Sequence, residues 1–202
     1  MLFSIISNEV TFNEKVTKVC NSISNLLQYP KEVSYVRKFL VMPDFSIEDI
    51  PKSIEVQTFK ETITFLNEPV TEINKIEPGL SHISYVKLRQ SKRGNKTYSY
   101  ILRVISDKPD ERLELRRTLN KDDYVRRKKV LGDNTRKDLR KHVSVFIFDN
   151  SIYNLENIKT KGKSISILRV MSSSQGDAEA IVPSFIPVQY EVTSMIYLYR
   201  QL

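Results

Sequence analysis

The chain has no tryptophan, only five glycines and a single cysteine, Cys20, among its 202 residues. One cysteine forms no intramolecular disulfide and no cysteine-cluster metal site, and it suits a reducing compartment. The glycines include no Walker A or dinucleotide-binding motif, so neither a P-loop nor a Rossmann site is predicted. The longest apolar runs, such as 145–148, are too short to span a bilayer. We therefore expect no transmembrane segment and an intracellular location, in the cytoplasm or in an organelle such as the mitochondrion.

Basic residues are in excess, with 32 Lys and Arg against 24 Asp and Glu and a formal net charge of +8. A positive field attracts the phosphates of polyphosphate, nucleic acid or lipid headgroups. The charge is uneven, because residues 112–141 contain twelve Lys and Arg against five Asp and Glu. The run 126–129 is either a phosphate-binding surface or a solvated helix end. A phosphate-rich ligand or an RNA backbone is therefore one expected class of partner.

An amphipathic helix is predicted for residues 11–29. Thr11 and Glu14 match a capping box at its start, and Pro30 ends it. Cys20 lies on the apolar stripe, which indicates a core position. The stripe recurs at spacings of three and four residues and consists of Phe12, Val16, Val19, Cys20, Ile23, Leu26 and Leu27.

Most of the remaining chain is predicted to form antiparallel strands. Turn residues indicate two hairpins, one around 92–95 and one around 149–150. Asn120 with Asp123 is predicted to cap a short helix that runs to about Leu131. The predicted strands are Tyr35–Met42, Ser53–Phe59, Tyr85–Gln90, Thr97–Ile105, Arg112–Leu119, Lys141–Phe148, Ile152–Ile158 and Ser164–Met171.

Many antiparallel strands with few helices predict an α+β fold, an antiparallel β tunnel or incomplete barrel of roughly eight strands with flanking helices. We expect one domain over residues 1–202, with the helix at 11–29, the tunnel strands within 34–171 and an ordered tail at 183–202.

Several predicted strands alternate charged and apolar residues. Lys87 and Arg89 share one face of their strand, and Arg103 is a lone charge in an apolar strand. Arg112, Glu114 and Arg116 share a face of another, where Glu114 is expected to pair with Arg112, Arg116 or Arg89. The pattern alone favours a solvated outer face. In a closed tunnel, the same faces would point inward at a phosphate chain.

Segments spread along nearly the whole chain resemble, in their order and spacing, the CYTH family of triphosphate tunnel enzymes. The closest resemblance is to the domain that follows a P-loop NTPase domain in eukaryotic proteins related to the TRPL translocation defect protein. No NTPase motif is present here, so the chain is either a stand-alone relative or part of a longer protein. The matching segments are 12–30, 36–41, 56–59, 87–94, 114–124, 146–155, 183–186 and 191–193.

The chain departs from the family pattern at the positions that bind the metal ion in the family. The family's first strand carries Glu-x-Glu-x-Lys, whose glutamates bind a divalent metal and whose lysine faces the phosphates. Here Lys38 matches the lysine, whereas Ser34 and Val36 stand in place of the glutamates. Arg169 replaces a late acidic pair and Glu156 replaces an aspartate. Because Mg²⁺ prefers carboxylate oxygens, the resemblance implies no bound metal, no cofactor and no catalytic residue.

Three functions remain open from the sequence. The first is a non-catalytic structural or binding subunit with protein partners in a larger assembly. The second is an anion-binding module for a nucleotide triphosphate, polyphosphate or phosphoinositide. The third is a metal-dependent triphosphatase that uses displaced ligands. The candidate phosphate-binding residues are Lys38, Lys87, Arg89, Arg103, Arg112 and Arg116.

Overall fold

A computed structural model describes residues 2–7, 31–67, 81–105, 112–160, 163–172 and 182–193. These residues form ten β-strands, one α-helix and one 3-10 helix, Ile47–Asp49. The α-helix, α1, is Lys121–Leu131. The strands are β1 Leu2–Ser7, β2 Lys31–Val41, β3 Val56–Leu66, β4 Ser81–Ser91, β5 Lys96–Ile105, β6 Arg112–Leu119, β7 Leu139–Phe148, β8 Ser151–Thr160, β9 Lys163–Ser172 and β10 Val188–Glu191.

The strands form one sheet in the order β1-β6-β5-β4-β3-β7-β8-β9-β2-β10. Neighbours in this order are antiparallel, and β1 additionally pairs with β2 in parallel. The antiparallel pairings run around the sheet, and the parallel contact of β1 with β2 leads back to β1. This mostly antiparallel sheet confirms the predicted fold, an antiparallel β tunnel or incomplete barrel. Two of the ten strands, β1 and β10, were not predicted, because each is fixed by the edge of β2 rather than by a local pattern.

Local turn chemistry explains both predicted hairpins. Asp149 and Asn150 have φ angles of 44° and 59°, as a two-residue turn between β7 and β8 requires. Gly94 has a φ angle of 88° in the turn between β4 and β5, where a residue with a Cβ atom would be strained. Both hairpins are confirmed at the predicted positions.

The prediction for β3 was wrong in its boundaries. Ser53–Phe59 was expected, but the strand is Val56–Leu66. The strand continues through the charged pair Lys60 and Glu61 because β4 and β7 hydrogen-bond to its two edges. Similarly, β2 begins at Lys31, before the predicted Tyr35, because β1 pairs with its first residues.

An apolar cluster covers the outer side of β2, β9, β8 and β7. The segments around 45–50 and 182–188 pack onto it, and Phe146 stacks on Tyr153 with ring centroids 5.2 Å apart. Alternation along each strand places these apolar side chains opposite the charged ones. The buried members are Phe39, Val41, Phe45, Ile50, Phe146, Tyr153, Leu155, Leu168, Val170 and Ile186.

Helix α1 packs on the outer side of β3, β4 and β5. Asn120 Oδ1 accepts a hydrogen bond from the Asp123 amide at 2.7 Å, and the helix ends at Leu131, so the predicted cap and end are confirmed. The Tyr124 ring lies 5.0 Å from that of Tyr98 on β5. The predicted helix at 11–29 and residues 194–202 of the tail lie outside the described residues. Neither helix within the described ranges is long or apolar enough to cross a membrane.

Candidate functional site

Charged side chains gather on the tunnel-facing side of the strands. Residues opposite each other in the register share a face, as do residues two apart along a strand. Among the described side chains, this face carries seven cations and three carboxylates. The cations are Lys38, Lys87, Arg89, Arg103, Arg116, Lys141 and Arg169, and the carboxylates are Glu61, Glu114 and Glu156.

Glu61 on β3 binds cations from both neighbouring strands. Its Oε1 lies 2.6 Å from Arg89 Nε and 3.5 Å from Lys87 Nζ, and its Oε2 lies 3.3 Å from Lys141 Nζ. Burial alone would raise the pKa of Glu61, but Lys141, Lys87 and Arg89 together lower it to about 2. Glu61 therefore stays ionised and fixes three cations in the tunnel.

Glu114 on β6 is the most buried acid of the tunnel, with no exposed surface. Its Oε2 accepts from Arg103 Nε at 2.7 Å, and its Oε1 accepts from Arg116 Nη2 at 2.9 Å. Burial would raise the pKa of Glu114, but Arg103, Arg116 and Arg169 hold it well below its usual range. The expected pairing with Arg116 is present, whereas Arg103 was not anticipated and Arg89 pairs with Glu61 instead.

Lys141 connects two carboxylates on different strands. Its Nζ lies 2.9 Å from Glu156 Oε2 on β8 and 3.3 Å from Glu61 Oε2 on β3. All three side chains are buried. A buried charge is stable only when it is paired and hydrogen-bonded, so this chain of ion pairs explains why the three can share the tunnel.

The carboxylates do not neutralise the tunnel. Seven cations against three carboxylates leave an excess of four positive charges on the described tunnel face. Burial, joined by Arg116, Arg89 and Lys141, outweighs Glu61 and lowers the pKa of Lys87 from 10.5 to about 8. The Nε atoms of Arg116 and Arg169 are buried and have no hydrogen-bond partner in the described part of the chain. The interior thus retains positive potential and unsatisfied donors.

The structure brings together most of the residues singled out in the sequence. Lys38 pairs in register with Arg169, and Arg103 with Glu114. Arg112 lies at the start of β6, where the register places it opposite Ile6 on β1 and Ile105 on β5. Its side chain lies outside the described part of the chain. The tunnel face carries the remaining five candidates, Lys38, Lys87, Arg89, Arg103 and Arg116.

Sequence reasoning missed Glu61 and did not count Lys141 or Arg169 among the candidates. Glu61 was lost because β3 was expected to end at Phe59. The alternation of Phe59, Glu61 and Ile63 on one face continues through that point and could have identified it.

The tunnel wall around Val36 is apolar. Val36 is completely buried and pairs in register with Met171, which in turn pairs with Ile152. In the next row, which also carries Lys38 and Arg169, the side-chain amide of Asn154 donates to Met171 Sδ at 3.6 Å. No group of three or more His, Cys, Asp or Glu side chains is placed to hold a metal ion within the described ranges.

Neither a family model nor a curated protein matches the chain by sequence. Solved structures do match its fold. HpAC1 from Hippeastrum, described as an adenylyl cyclase candidate with a dominant triphosphatase activity, is similar over 82% of this chain and 94% of its own. The two sequences are 11% identical and the TM-score is 0.51.

The chain has the CYTH-like tunnel fold. Two further structures have the same kind of similarity at lower TM-scores. The inorganic triphosphatase NE1496 is 16% identical, with a TM-score of 0.43, over 82% of this chain and 89% of its own. An adenylate cyclase candidate from Vibrio parahaemolyticus is 13% identical, with a TM-score of 0.48, over 82% and 97%. The assignment rests on the Hippeastrum structure, and identities this low show the fold alone.

Proposed function

We propose that this chain is a non-catalytic CYTH-like domain whose tunnel binds a phosphate-rich anion without a metal ion. The observation that carries the proposal is the excess of four positive charges among the described side chains of a partly buried tunnel face. Charges in a low-dielectric interior interact more strongly than in water, so an oligophosphate is the natural complement of this face. The ligand class we infer is a nucleotide triphosphate, an inorganic polyphosphate or an inositol phosphate.

The divalent metal that the fold family implies does not fit these residues. The two positions that would supply glutamates are Ser34 and Val36, and Val36 is completely buried beside Met171. Mg²⁺ and Mn²⁺ require oxygen ligands in a tight octahedral arrangement, which an alkyl wall cannot provide. The three acids on the described tunnel face, Glu61, Glu114 and Glu156, are already held by cations. A degenerate metal site, as in a TRPL-related domain that has lost its chemistry, is therefore part of the proposal.

The acids have a positioning role in this scheme. Glu61 holds Arg89 and Glu114 holds Arg103, so both guanidinium groups are fixed before any ligand enters. Pre-ordered cations lose less side-chain entropy on binding than free ones, which favours affinity. Arg116 and Arg169 each contribute a buried Nε–H that a phosphate oxygen would satisfy.

A thermal-shift and calorimetric screen with tripolyphosphate, GTP and inositol phosphates tests the proposal. Charge-assisted hydrogen bonds contribute about 1.5–3 kcal/mol, so Arg89→Ala should weaken binding about tenfold or more. Arg117→Ala is the matched control, because Arg117 is exposed and pairs in register with Tyr100, away from the tunnel face. Absence of binding by any of these anions would refute the tunnel site.

A structural role in a larger assembly is the second candidate, and one surface favours it. The β7–β8 hairpin exposes Ile147 and Ile152, which are opposite each other in the register, with 68% and 45% of their surfaces accessible. Exposed apolar groups of this kind commonly mark protein contacts. Two results together would favour this role over the first. The tunnel would bind no anion, and the chain would associate with a partner protein in a way that Ile147→Asp abolishes.

Triphosphate hydrolysis is the third candidate, suggested by the activity described for the Hippeastrum structure. Phosphate release from tripolyphosphate or ATP with Mg²⁺ or Mn²⁺ tests it directly. We expect negligible turnover, because a divalent ion is what neutralises developing charge in metal-assisted phosphoryl transfer. Robust turnover by the unmodified chain would overturn the non-catalytic assignment.

A further inference from the structure

A groove of about 450 Å³ lies on the outer side of the tunnel wall. Its lining residues belong to β3, β4, β7 and β8, to the turn between β4 and β5, which contributes Lys92, and to the 3-10 helix, which contributes Ile47. The lining side chains of Thr58, Lys60, Gln90 and His142 alternate with the tunnel-facing residues of the same strands. Phe59, Ser91 and Val143 also line the groove but belong to the tunnel-facing side of these strands. The polar lining residues Lys60 and His142 lie on the outer side, across the sheet from the tunnel cations.

The groove is basic. Lys60 and Lys92 are exposed and line it, and none of its lining residues is acidic. Neither lysine forms an ion pair with a carboxylate in the described part of the chain. Two acids next to lining residues in sequence, Glu61 after Lys60 and Glu156 before Asn157, lie on the tunnel side and pair there with Lys141. The positive charge of this surface is thus available to a ligand.

The other basic surface of the chain, on α1 and the segment after it, differs in this respect. Arg126 pairs with Asp123 at 2.7 Å, and Lys128 pairs with Asp138 at 2.7 Å. Arg127 lies over the ring of Tyr100 at 4.7 Å. These partners neutralise or occupy much of the charge that the sequence concentrates in residues 112–141.

A line of polar residues crosses the groove at right angles to the strands. The register joins Lys96, Gln90, Lys60, His142 and Asn157 on five successive strands. Strands are about 4.8 Å apart, so the line is roughly 19 Å long. Asn157 accepts from Ser166 Oγ at 2.6 Å, which orients its side-chain amide. Lys96 and Lys60 lie on either side of Gln90 in this line, and His142 and Asn157 follow.

We propose that this groove binds single-stranded nucleic acid through its phosphate backbone. Basic grooves that follow the backbone are how proteins hold single strands without strong sequence preference. The volume suits nucleotide-sized groups rather than a duplex, since small-ligand pockets measure about 300–1,000 Å³. The groove is concave, whereas a membrane surface is bound by protruding apolar and basic side chains together.

Fluorescence anisotropy with labelled polyuridine RNA tests the site. The double variant Lys60→Glu/Lys92→Glu should lose at least tenfold in affinity. Loss of two phosphate contacts should also reduce the salt slope by about 1.4, given roughly 0.7 per contact for single strands. Lys121→Glu/Lys129→Glu is the matched control, with the same charge change on exposed lysines of α1. Both variants change exposed side chains, and thermal melting verifies that each is folded.

The outcomes separate this site from the others. Retained RNA affinity in Arg89→Ala and in the α1 variant, with loss only in the groove variant, supports the proposal. Equal loss in both lysine variants would overturn it in favour of a diffuse charge effect. Absence of RNA binding, or groove-dependent binding only to anionic phosphoinositide vesicles or to an acidic peptide, would overturn it as well.

Discussion

Glu61 Oε1 and Arg89 Nε lie 2.6 Å apart across β3 and β4, at directly opposed positions of the register. The two residues are 28 positions apart in sequence, and the Glu61 side chain is almost entirely buried. It joins β3, whose boundaries were predicted wrongly, to β4, whose charged face was identified from the sequence. The ionisation of this pair links the stability of the fold to the charge of the tunnel.

Acid should destabilise the domain through Glu61. Its pKa is about 2 in the folded chain and 4.5 in the reference state, so the stabilisation is present above pH 4.5 and is lost as the pH falls towards 2. The shift corresponds to about 3 kcal/mol of unfolding free energy. Chemical denaturation across this range should show the loss.

Glu61→Gln is the control for that experiment. It should be less stable near neutral pH and should show a smaller decrease in acid, because the titrating group is gone. An unchanged pH dependence in Glu61→Gln would contradict the assignment of this loss to Glu61.

Raising the pH should weaken anion binding in the tunnel. Lys87 loses its charge as the pH rises through about 8, because burial and the neighbouring cations lower its pKa. The affinity for tripolyphosphate should therefore decline over this range, as measured by calorimetry. Lys87→Arg keeps its charge and should remove the decline, since arginine stays protonated. A decline of the same size in Lys87→Arg would assign it to another group.

Magnesium should weaken, and not strengthen, the binding of tripolyphosphate. The ion reduces the negative charge of the ligand, and the tunnel offers it an apolar wall at Val36 instead of a carboxylate. Calorimetric titrations with and without Mg²⁺ measure the sign of the effect. The variant Ser34→Glu/Val36→Glu should reduce or reverse it. Tighter binding of the magnesium complex by the unmodified chain would show that other residues hold the ion.

Truncating Phe146 should destabilise the fold and leave the tunnel intact. The side chain is 2% exposed and stacks on Tyr153 in the outer cluster, so Phe146→Ala should cost about 3–5 kcal/mol of unfolding free energy. Anion affinity at a temperature where the variant is folded should not change. Ile147→Ala, one residue away and 68% exposed, should change stability by less than about 0.5 kcal/mol. Similar losses of unfolding free energy in both variants would contradict the assignment of Phe146 to the buried cluster and of Ile147 to an exposed position.

The sequence alone determined the features that depend on local chemistry. Asp149 and Asn150 predict their hairpin because both tolerate a positive φ, and Asn120 predicts the start of α1 because its side chain caps the first turn. Alternation also placed Lys87 with Arg89 on one face. The order of these elements was enough to predict an antiparallel tunnel.

Only the tertiary structure decided which way the charged faces point and which of their side chains form ion pairs. A charged face alternates with an apolar one in the same way whether it meets solvent or lines a tunnel, so the pattern favoured solvent. The pairing of Glu61 with Lys141 and of Glu114 with Arg103 depends on which strands are neighbours, and β1 depends on the edges of β2 and β6. Strand pairing is a long-range property, and no local residue pattern specifies it.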